Sequence, residues 1–415
     1  NMQERVILHS DINHCYAQIE EMRHPELRKI PMAVGGHEEA RHGIILAKND
    51  MAKAYHIKTG ESLREAYAKC PQLKIIHPDY EAYMYYTEQV KDIYREYTDK
   101  VESFGLDEAW IDLTQSISLF GSGKAIAQEI QKRVWQEIGL SVSIGVSYNK
   151  IFAKLGSDMQ KPMGLVEIRK DNYQTLVWPL PVEDLFYVGR ATKKKLRYYG
   201  IDTIGDLANL SKGWMKDHFG KMGELIWWFA NGEDISEVAL SGAKEPVKSV
   251  GNAITAPRDI NTFEEAKIIY YVLVESVASR MRDSGLRGNV ISISLRNKEL
   301  SWFSRQRKIM QATNIAQEIM PVVLHLLKEN YTFEQPLRTI GVSVSGIEDD
   351  QALTQLNLFT SEEERQRQKQ LEISIDQIRN RFGFAKIRRC VTLLTPDLSE
   401  FNPKEEHVIH PVSFF

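Results

Sequence analysis

Cysteine is scarce in this sequence: Cys15, Cys70 and Cys390 are the only three, and no two of them stand as a CxxC pair. That excludes a disulfide framework and a zinc site built on paired thiolates. Long apolar runs are missing as well. No stretch approaches the ~18 consecutive apolar residues of a membrane span, and the first residues form no charged-then-apolar leader, so a cytoplasmic monomer with no membrane partner is expected. Self-similarity at periods of about 20–50 residues is absent, which removes solenoids and propellers. The chain also lacks a strong charge. Its net charge of −3 argues weakly against a nucleic-acid partner, because such proteins usually carry a basic footprint. The charge is unevenly spread, however. From Lys248 to Gly346 there are 13 Lys and Arg against 9 Asp and Glu, followed by the acidic runs Glu348–Asp350 and Glu362–Glu364. A basic middle of that kind suits DNA without demanding it.

What is present is a chain of 415 residues, too long for one core, so roughly two to four domains are expected. Arg5–Ser10 is largely apolar and stops at Asp11, the pattern of a buried strand with a carboxylate at its tip. His14–Met22 has helical spacing. Val101–Phe104 and Ala109–Leu113, broken at Gly105–Glu108, read as a hairpin. Gly123–Ile138 reads as a helix stopped by Gly139, and Ser141–Ser147 as a strand. This β-α-β-β-α-β order is that of a ferredoxin-like split sheet, with roughly seventy residues inserted after the first helix. The expected class is α+β. Short helices around Val188–Arg190 and Gly200–Asp202 suggest helix–hairpin–helix units, with a third candidate at Phe219–Gly223, and Asn231–Lys248 reads as a linker. Beyond it come a helix opened by the capping box Thr262–Glu265 and running to about Gly285, a strand at Asn289–Arg296, a helix near Asn314–Glu329 and a strand at Thr339–Ser345. A charged, helical tail follows.

In such a sheet the first and third strands are neighbours, so Asp11 and the Asp107-Glu108 turn can converge on one edge. Converging carboxylates beside a backbone carbonyl are hard oxygen ligands suited to Mg²⁺. Two such ions about 4 Å apart clamp the attacking and leaving oxygens of phosphoryl transfer. The plain alternative, acidic residues merely solvated at strand ends, weakens when three fall in the right places together. Gly121–Ala125 has the outline of a phosphate loop but fails GxxxxGK(S/T), because Ala125 follows Lys124.

Three stretches resemble the motifs of the Y-family DNA polymerases. Asp11-Ile-Asn-His-Cys-Tyr16-Ala17 is similar to the first, Leu106-Asp107-Glu108-Ala109-Trp110-Ile111-Asp112 to the second, and the long run Ser147–Gly164 to the third. The resemblance covers about the first 350 residues and extends to Gram-positive UvrX-like or polymerase IV-like members. It implies a palm (1–24 and 78–176), fingers (25–77), a helix–hairpin–helix thumb (177–240), a linker (241–247), an α+β little finger (248–347) and a tail (348–415). It implies template-directed addition of dNTPs to a primer on damaged templates, with two Mg²⁺ ions on Asp11, Asp107, Glu108 and the Ile12 carbonyl. Tyr16 becomes a steric gate against a ribose 2′-OH, although its spacing alone suits an ordinary core aromatic equally well. Lys53 and Lys161 become triphosphate partners. The backbone N–H groups of His14 and Cys15, at a helix N-terminus, suit phosphate as well. The chain departs from the family in its fingers. Asn49-Asp50-Met51-Ala52-Lys53 stands where a Tyr-Glu-Ala-Arg run is common, and lysine keeps the charge of arginine but loses its bidentate geometry.

Gly189, Arg190 and Thr192 in the thumb, with Lys193–Lys195 beyond, suit sequence-independent phosphate contact, and a plain helix cap beside a solvated basic patch explains them about equally well. Arg305 and Arg307, in a run that interleaves Trp302 and Phe303 with base, suit the duplex backbone or an ordinary strand edge. Gln355-Leu-Asn-Leu358-Phe359 resembles the peptide by which bacterial polymerases dock on the sliding clamp, with Leu358 and Phe359 as apolar anchors. Two further functions stay open: a catalytically silent repair scaffold of the same fold, and a nucleotide cyclase sharing the palm.

Overall fold

The computed structural model describes residues 4–36, 43–243, 245–353 and 361–406. The chain divides into two compact units, chiefly residues before 245 and residues from 245 on. In chain order the first unit contains β1 (Ile7–Ile12), α1 (Cys15–Arg23), β2 (Met32–Gly35), β3 (Ile45–Lys48), α2 (Asp50–Lys53), α3 (Leu63–Lys69), β4 (Lys74–Ile76), α4 (Tyr80–Arg95), β5 (Val101–Phe104), β6 (Glu108–Asp112), α5 (Ile117–Phe120), α6 (Gly123–Arg133), β7 (Val142–Ser147), α7 (Lys150–Met159), β8 (Leu165–Ile168), α8 (Tyr173–Leu176), α9 (Arg190–Tyr198), α10 (Ile204–Ala208) and α11 (Lys212–Ala230).

The main sheet runs β5-β6-β1-β7-β8. Its first four strands are antiparallel and reproduce the expected split βαβ order, and β8 adds a strand parallel to β7. Every residue of β1 is buried because helices cover both faces of this strand. Side chains alternate along a strand, so Leu8 and Ile12 enter one core with Ile126, Ile130 and Tyr94. Ile7 enters the other with Trp110 and Ala153 of α7. His9 and Asp11 share that second face. Helix α7 lies hard on the sheet: a Cβ on Gly145 would stand 1.9 Å from the Ala153 carbonyl oxygen, and one on Gly156 would stand 3.1 Å from the Gly145 Cα. The single helix expected over 123–138 ends at Arg133, and Val134–Ile138 widens into a π turn before Gly139.

The inserted residues build a small sheet, β3-β2-β4, around Ile45, Ile57, Leu63 and Leu73. Its hub is the buried Asn49. Its oxygen accepts from the N–H groups of Met32 and Ala52, and its amide donates to Glu21 and to the Leu27 and Ile30 carbonyls. One side chain thus caps α2 and ties it to both the sheet and α1.

Helices α9 to α11 pack Leu196, Ile201, Ile204, Leu207, Met215 and Ile226 together. Gly189 is the N-cap of α9, and Gly200 turns the chain at φ 73°. The third candidate turn is also present. Gly220 breaks α11 at φ 66°, ψ −153°, a conformation that needs glycine. The expected linker is less free than its composition suggests. Residues 234–239 are strapped to the main sheet: Arg5 donates to the Asp234 carbonyl (3.2 Å), Lys150 to the Glu237 carbonyl (3.4 Å), and the Ala239 N–H to Glu102 (2.9 Å).

The second unit contains β9 (Ser249–Ile260), α12 (Phe263–Asp283), β10 (Leu286–Asn297), β11 (Trp302–Thr313), α13 (Ala316–Asn330), β12 (Leu337–Asp349), α14 (Glu362–Phe382), α15 (Pro396–Ser399) and α16 (Pro403–Glu406). Its antiparallel sheet is ordered β11-β10-β12-β9, and α12 and α13 cover one face through an apolar core. The expected strands at 289–296 and 339–345 are the centres of β10 and β12, β11 is the strand edge that was one reading of the Trp302–Lys308 stretch, and β9 was not anticipated. The capping box at α12 is half made. Thr262 accepts from the Glu265 N–H, but the Glu265 carboxylate takes the N–H of Asn261 instead.

The tail beyond residue 361 is a packed layer. Glu372 and Asp376 of α14 are buried against Arg282 of α12, at 2.6 and 2.7 Å. Glu372 also accepts the N–H groups of Ala316 and Gln317, which caps α13 from outside its own sequence. Arg365 holds Glu318, Arg379 and Arg389 share Glu275, and Lys404 holds Asp283. The clamp-like residues Gln355, Leu358 and Phe359 lie outside the described residues. Among the described residues no helix is long and apolar enough to cross a membrane.

Candidate active site

Adjacent antiparallel strands bring the carboxylates to one edge. Asp11 of β1 stands directly opposite Glu108 of β6, and the Ile12 N–H donates to the Asp107 carbonyl at 3.0 Å. Their oxygens do not yet converge. Among the described residues no three His, Cys, Asp or Glu side chains form a ready ligand set. Like charges on one edge repel, and Asp11 and Glu108 each turn to a lysine. Asp11 meets Lys161, which also pairs with Asp158 at 2.8 Å. Glu108 meets Lys154 at 2.6 Å. Lys91 of α4, buried, donates to the Gly105 carbonyl at 3.2 Å, and its charge acts on Asp107.

The protonation pattern follows. Burial pushes Asp11 up to about 7 despite Lys161, helped by the charges of Glu108 and Asp107. Burial and Glu108 likewise raise Asp107. Burial acts upward on Glu108 too, yet it is held down at about 2 by His9 and Lys154. The Ser157 hydroxyl donates to the Lys154 carbonyl and lies 2.7 Å from the His9 Nδ1. Burial lowers the His9 pKa while Glu108, 3.2 Å from its Nε2, acts to raise it.

A site this acidic and buried fits divalent metal. Asp11, Asp107 and Glu108 supply hard oxygens, and the lysines on two of them are the charges that metal would replace.

His14, with φ 44°, is the N-cap of α1, and its Nε2 lies 3.0 Å from Asp50 of α2. Cys15 is buried, with its thiol pushed up by burial and by the charges of Asp107 and Asp11. Tyr16 is half-buried and stacked on Tyr83, with ring centroids 4.5 Å apart, and Asp107 bears on its hydroxyl. Lys53 is exposed on the last turn of α2, where its charge acts on Lys48. Arg190 is exposed and Thr192 half-buried on the first turn of α9, whose N-cap Gly189 offers no side chain. Arg305 and Arg307 pair with Ile293 and Ile291, and so share the helix-covered face of their sheet; Arg307 is held by Glu329 at 3.0 Å. The open face carries small residues instead, among them Ser249, Ala253, Ser292, Ser294 and Ser343. Sequence reading gave no role to His9, Lys91, Lys154 or Asn49. Lys154 lay within the third motif, at helical spacing from Asp158 and Lys161. A lysine inside an amphipathic helix, as Lys91 is, carried no such signal.

Comparison with known proteins agrees with this site. The impB/mucB/samB family matches residues 10–158, its C-terminal domain residues 247–358, and the DNA polymerase-iota thumb domain residues 183–234. DNA polymerase IV of Acetivibrio thermocellus is 44% identical over 94% of this chain and 98% of its own. DNA polymerase IV 2 of Bacillus subtilis is 35% identical over 94% and 95%. A solved Y-family DNA polymerase chimera covers 82% of this chain and 99% of its own at TM-score 0.72 and 21% identity, which supports the fold. The chain belongs to the Y family of DNA polymerases, in its DinB-type branch. It is a DNA-directed DNA polymerase of the translesion class, a class that generally uses divalent metal ions.

Proposed function

We propose that this polymerase extends a primer 3′-OH with dNTPs opposite damaged template bases, on a site where Asp11, Asp107, Glu108 and the Ile12 carbonyl hold two Mg²⁺ ions. The observation carrying the proposal is the register that sets Asp11 opposite Glu108 with the Asp107 carbonyl bonded to the Ile12 N–H. The ions would neutralise the charge that develops on the transferred phosphoryl group. Lys161, freed from Asp11, reaches the triphosphate, and the α1 N-terminus at His14 and Cys15 offers it backbone N–H groups. Lys53 adds charge from the fingers side. Tyr16, braced by Tyr83, excludes the 2′-OH.

Residues 1–24 and 78–176 act as palm, 25–77 as fingers, 177–240 as thumb and 248–347 as little finger, with 241–247 between the last two. Gly189, Arg190 and Thr192 grip primer–template DNA through phosphates. Arg305 and Arg307 add charge along an exposed edge strand. Gln355, Leu358 and Phe359 dock on a sliding clamp. The presence of all three carboxylates disfavours a silent scaffold, and the helix–turn–helix layer of α9 to α11 disfavours a cyclase, which has no use for it.

Primer extension with Mg²⁺ tests the site. Asp107→Ala and Glu108→Ala variants that fold normally should show no extension, and synthesis at the parent rate would refute the assignment. In Tyr16→Ala, ribonucleotide incorporation should rise. Unchanged discrimination would remove the gate.

A further inference from the structure

Helix α14 is built inside out. Its buried residues are Glu372 and Asp376, while Leu371, Ile378 and Phe382 are 54%, 38% and 57% exposed. With Ile375, these fall at i, i+4, i+7 and i+11, which makes one apolar stripe. The ion pairs on its inner face leave this stripe free to face outward. On one side the stripe borders a cavity of about 290 Å³ between α12, α13 and α14, to whose wall Leu371, Ile375 and Ile387 contribute. Four arginines and three carboxylates also line it. Arg282 takes Glu372 and Asp376, Arg379 and Arg389 take Glu275, and Arg388 is left over. Its Nη1 reaches Glu400 at only 3.5 Å, and its Nε and Nη2 are buried with no hydrogen-bond partner among the described residues. On the other side of the stripe stand the exposed Arg367 and Arg381.

We propose that the α14 stripe and the adjoining arginine-walled cavity dock an acidic, amphipathic segment of a partner protein, with an apolar anchor in the cavity and a carboxylate on Arg388. Apolar surface with Arg367 and Arg381 along one side and Arg388 on the other calls for apolar surface flanked by acid. A recess whose Arg388 keeps only a 3.5 Å ion pair with Glu400 and two unsatisfied N–H groups fits a carboxylate-bearing side chain better than a flat lipid surface. The stripe makes nucleic acid a poor occupant. The surface is independent of the palm chemistry.

Fluorescence anisotropy of the full chain with two labelled helical peptides tests this. Both share a Leu/Phe stripe; one has a Glu/Asp polar face and the other a Lys face. The acidic peptide should bind, and Phe382→Ser and Arg388→Ala should each weaken it about tenfold or more with primer extension unchanged. Phe382 is exposed, so that variant keeps the test valid if loss of Arg388 disturbs folding. Equal binding of the lysine peptide, no binding of the acidic one, or binding indifferent to Phe382→Ser would overturn the proposal. So would a dimer seen by light scattering, or adsorption to anionic phosphatidylglycerol vesicles, that Phe382→Ser abolishes, because the occupant would then be a second copy or a membrane.

Discussion

The order β-α-β-β-α-β occurs twice in this chain, and the two copies are wired differently. In the first unit the first and third strands, β1 and β6, are central; in the second the centre is held by the second and fourth, β10 and β12. The charge differs more than the wiring. The central strands of the first sheet carry Asp11 and Glu108 at one edge, met by Lys161 just beyond α7 and by Lys154 on it. The central strands of the second alternate Ile291, Ile293 and Leu295 inward with Ser292 and Ser294 outward, and put no carboxylate under the helices. There the buried charges have moved to the outer layer, where Arg282 joins α12 to α14. One arrangement of elements thus supports a reactive acidic edge in one place and an inert platform with an ionic cover in the other. The chemistry lies in where the charges are put.

If that contrast is right, removing a buried charge should have opposite effects in the two units. The largest change is expected from Arg282→Met, which strands Glu372 and Asp376 and should cost the second unit about 3–5 kcal/mol in denaturant unfolding. A loss below about 1 kcal/mol would make the tail an ornament. Asp11→Asn should instead stabilise the metal-free first unit, by about 2–4 kcal/mol at pH 8, while ending catalysis. The folded Asp11 holds its proton up to about 7, against 3.8 when free, so the native state binds more protons across that interval and stability falls as pH rises through it. Glu108 acts in reverse. Held at about 2 against 4.5, it contributes stability above pH 4.5 that is lost toward pH 2. Melting of Asp11→Asn between pH 4 and 8 should therefore lose the parent's decline in that range; an unchanged slope would refute the burial argument. The smallest effect belongs to Asp50→Ala. Its pair with His14 is largely exposed, so stability should change by less than about 1 kcal/mol, and KM for dNTP rather than kcat should report any role in holding α2 against α1.

The first sheet was legible in the sequence because its strands announce themselves. Arg5–Ser10 is mostly apolar, Ser141–Ser147 alternates, and Gly105 and Gly139 mark the turns. That order alone put Asp11 beside the Asp107-Glu108 turn. The fingers sheet was not legible, since strands of three or four residues are too short to show a period. Strand β11 was legible only as one of two alternatives, because an edge strand with Arg305, Gln306, Arg307 and Lys308 has no apolar alternation to read. Helix α14 misled in the other direction. Its acidic residues look solvated until Arg282, ninety residues earlier in the chain, is seen to claim them. The lysines under the carboxylates share that cause, for only the fold shows which one faces which acid.

The close seat of α7 on the sheet has a mechanical side. Lys154 extends from that helix and Lys161 from just beyond it, so their reach to the acidic edge is fixed by how near the helix axis can come to β7. Two absent side chains, at Gly145 and Gly156, set that spacing. An alanine at either would act as a shim, lifting the whole helix and drawing both ammonium groups back from the carboxylates at once. The charge balance of the palm is therefore adjusted by backbone clearance at residues that carry no charge themselves.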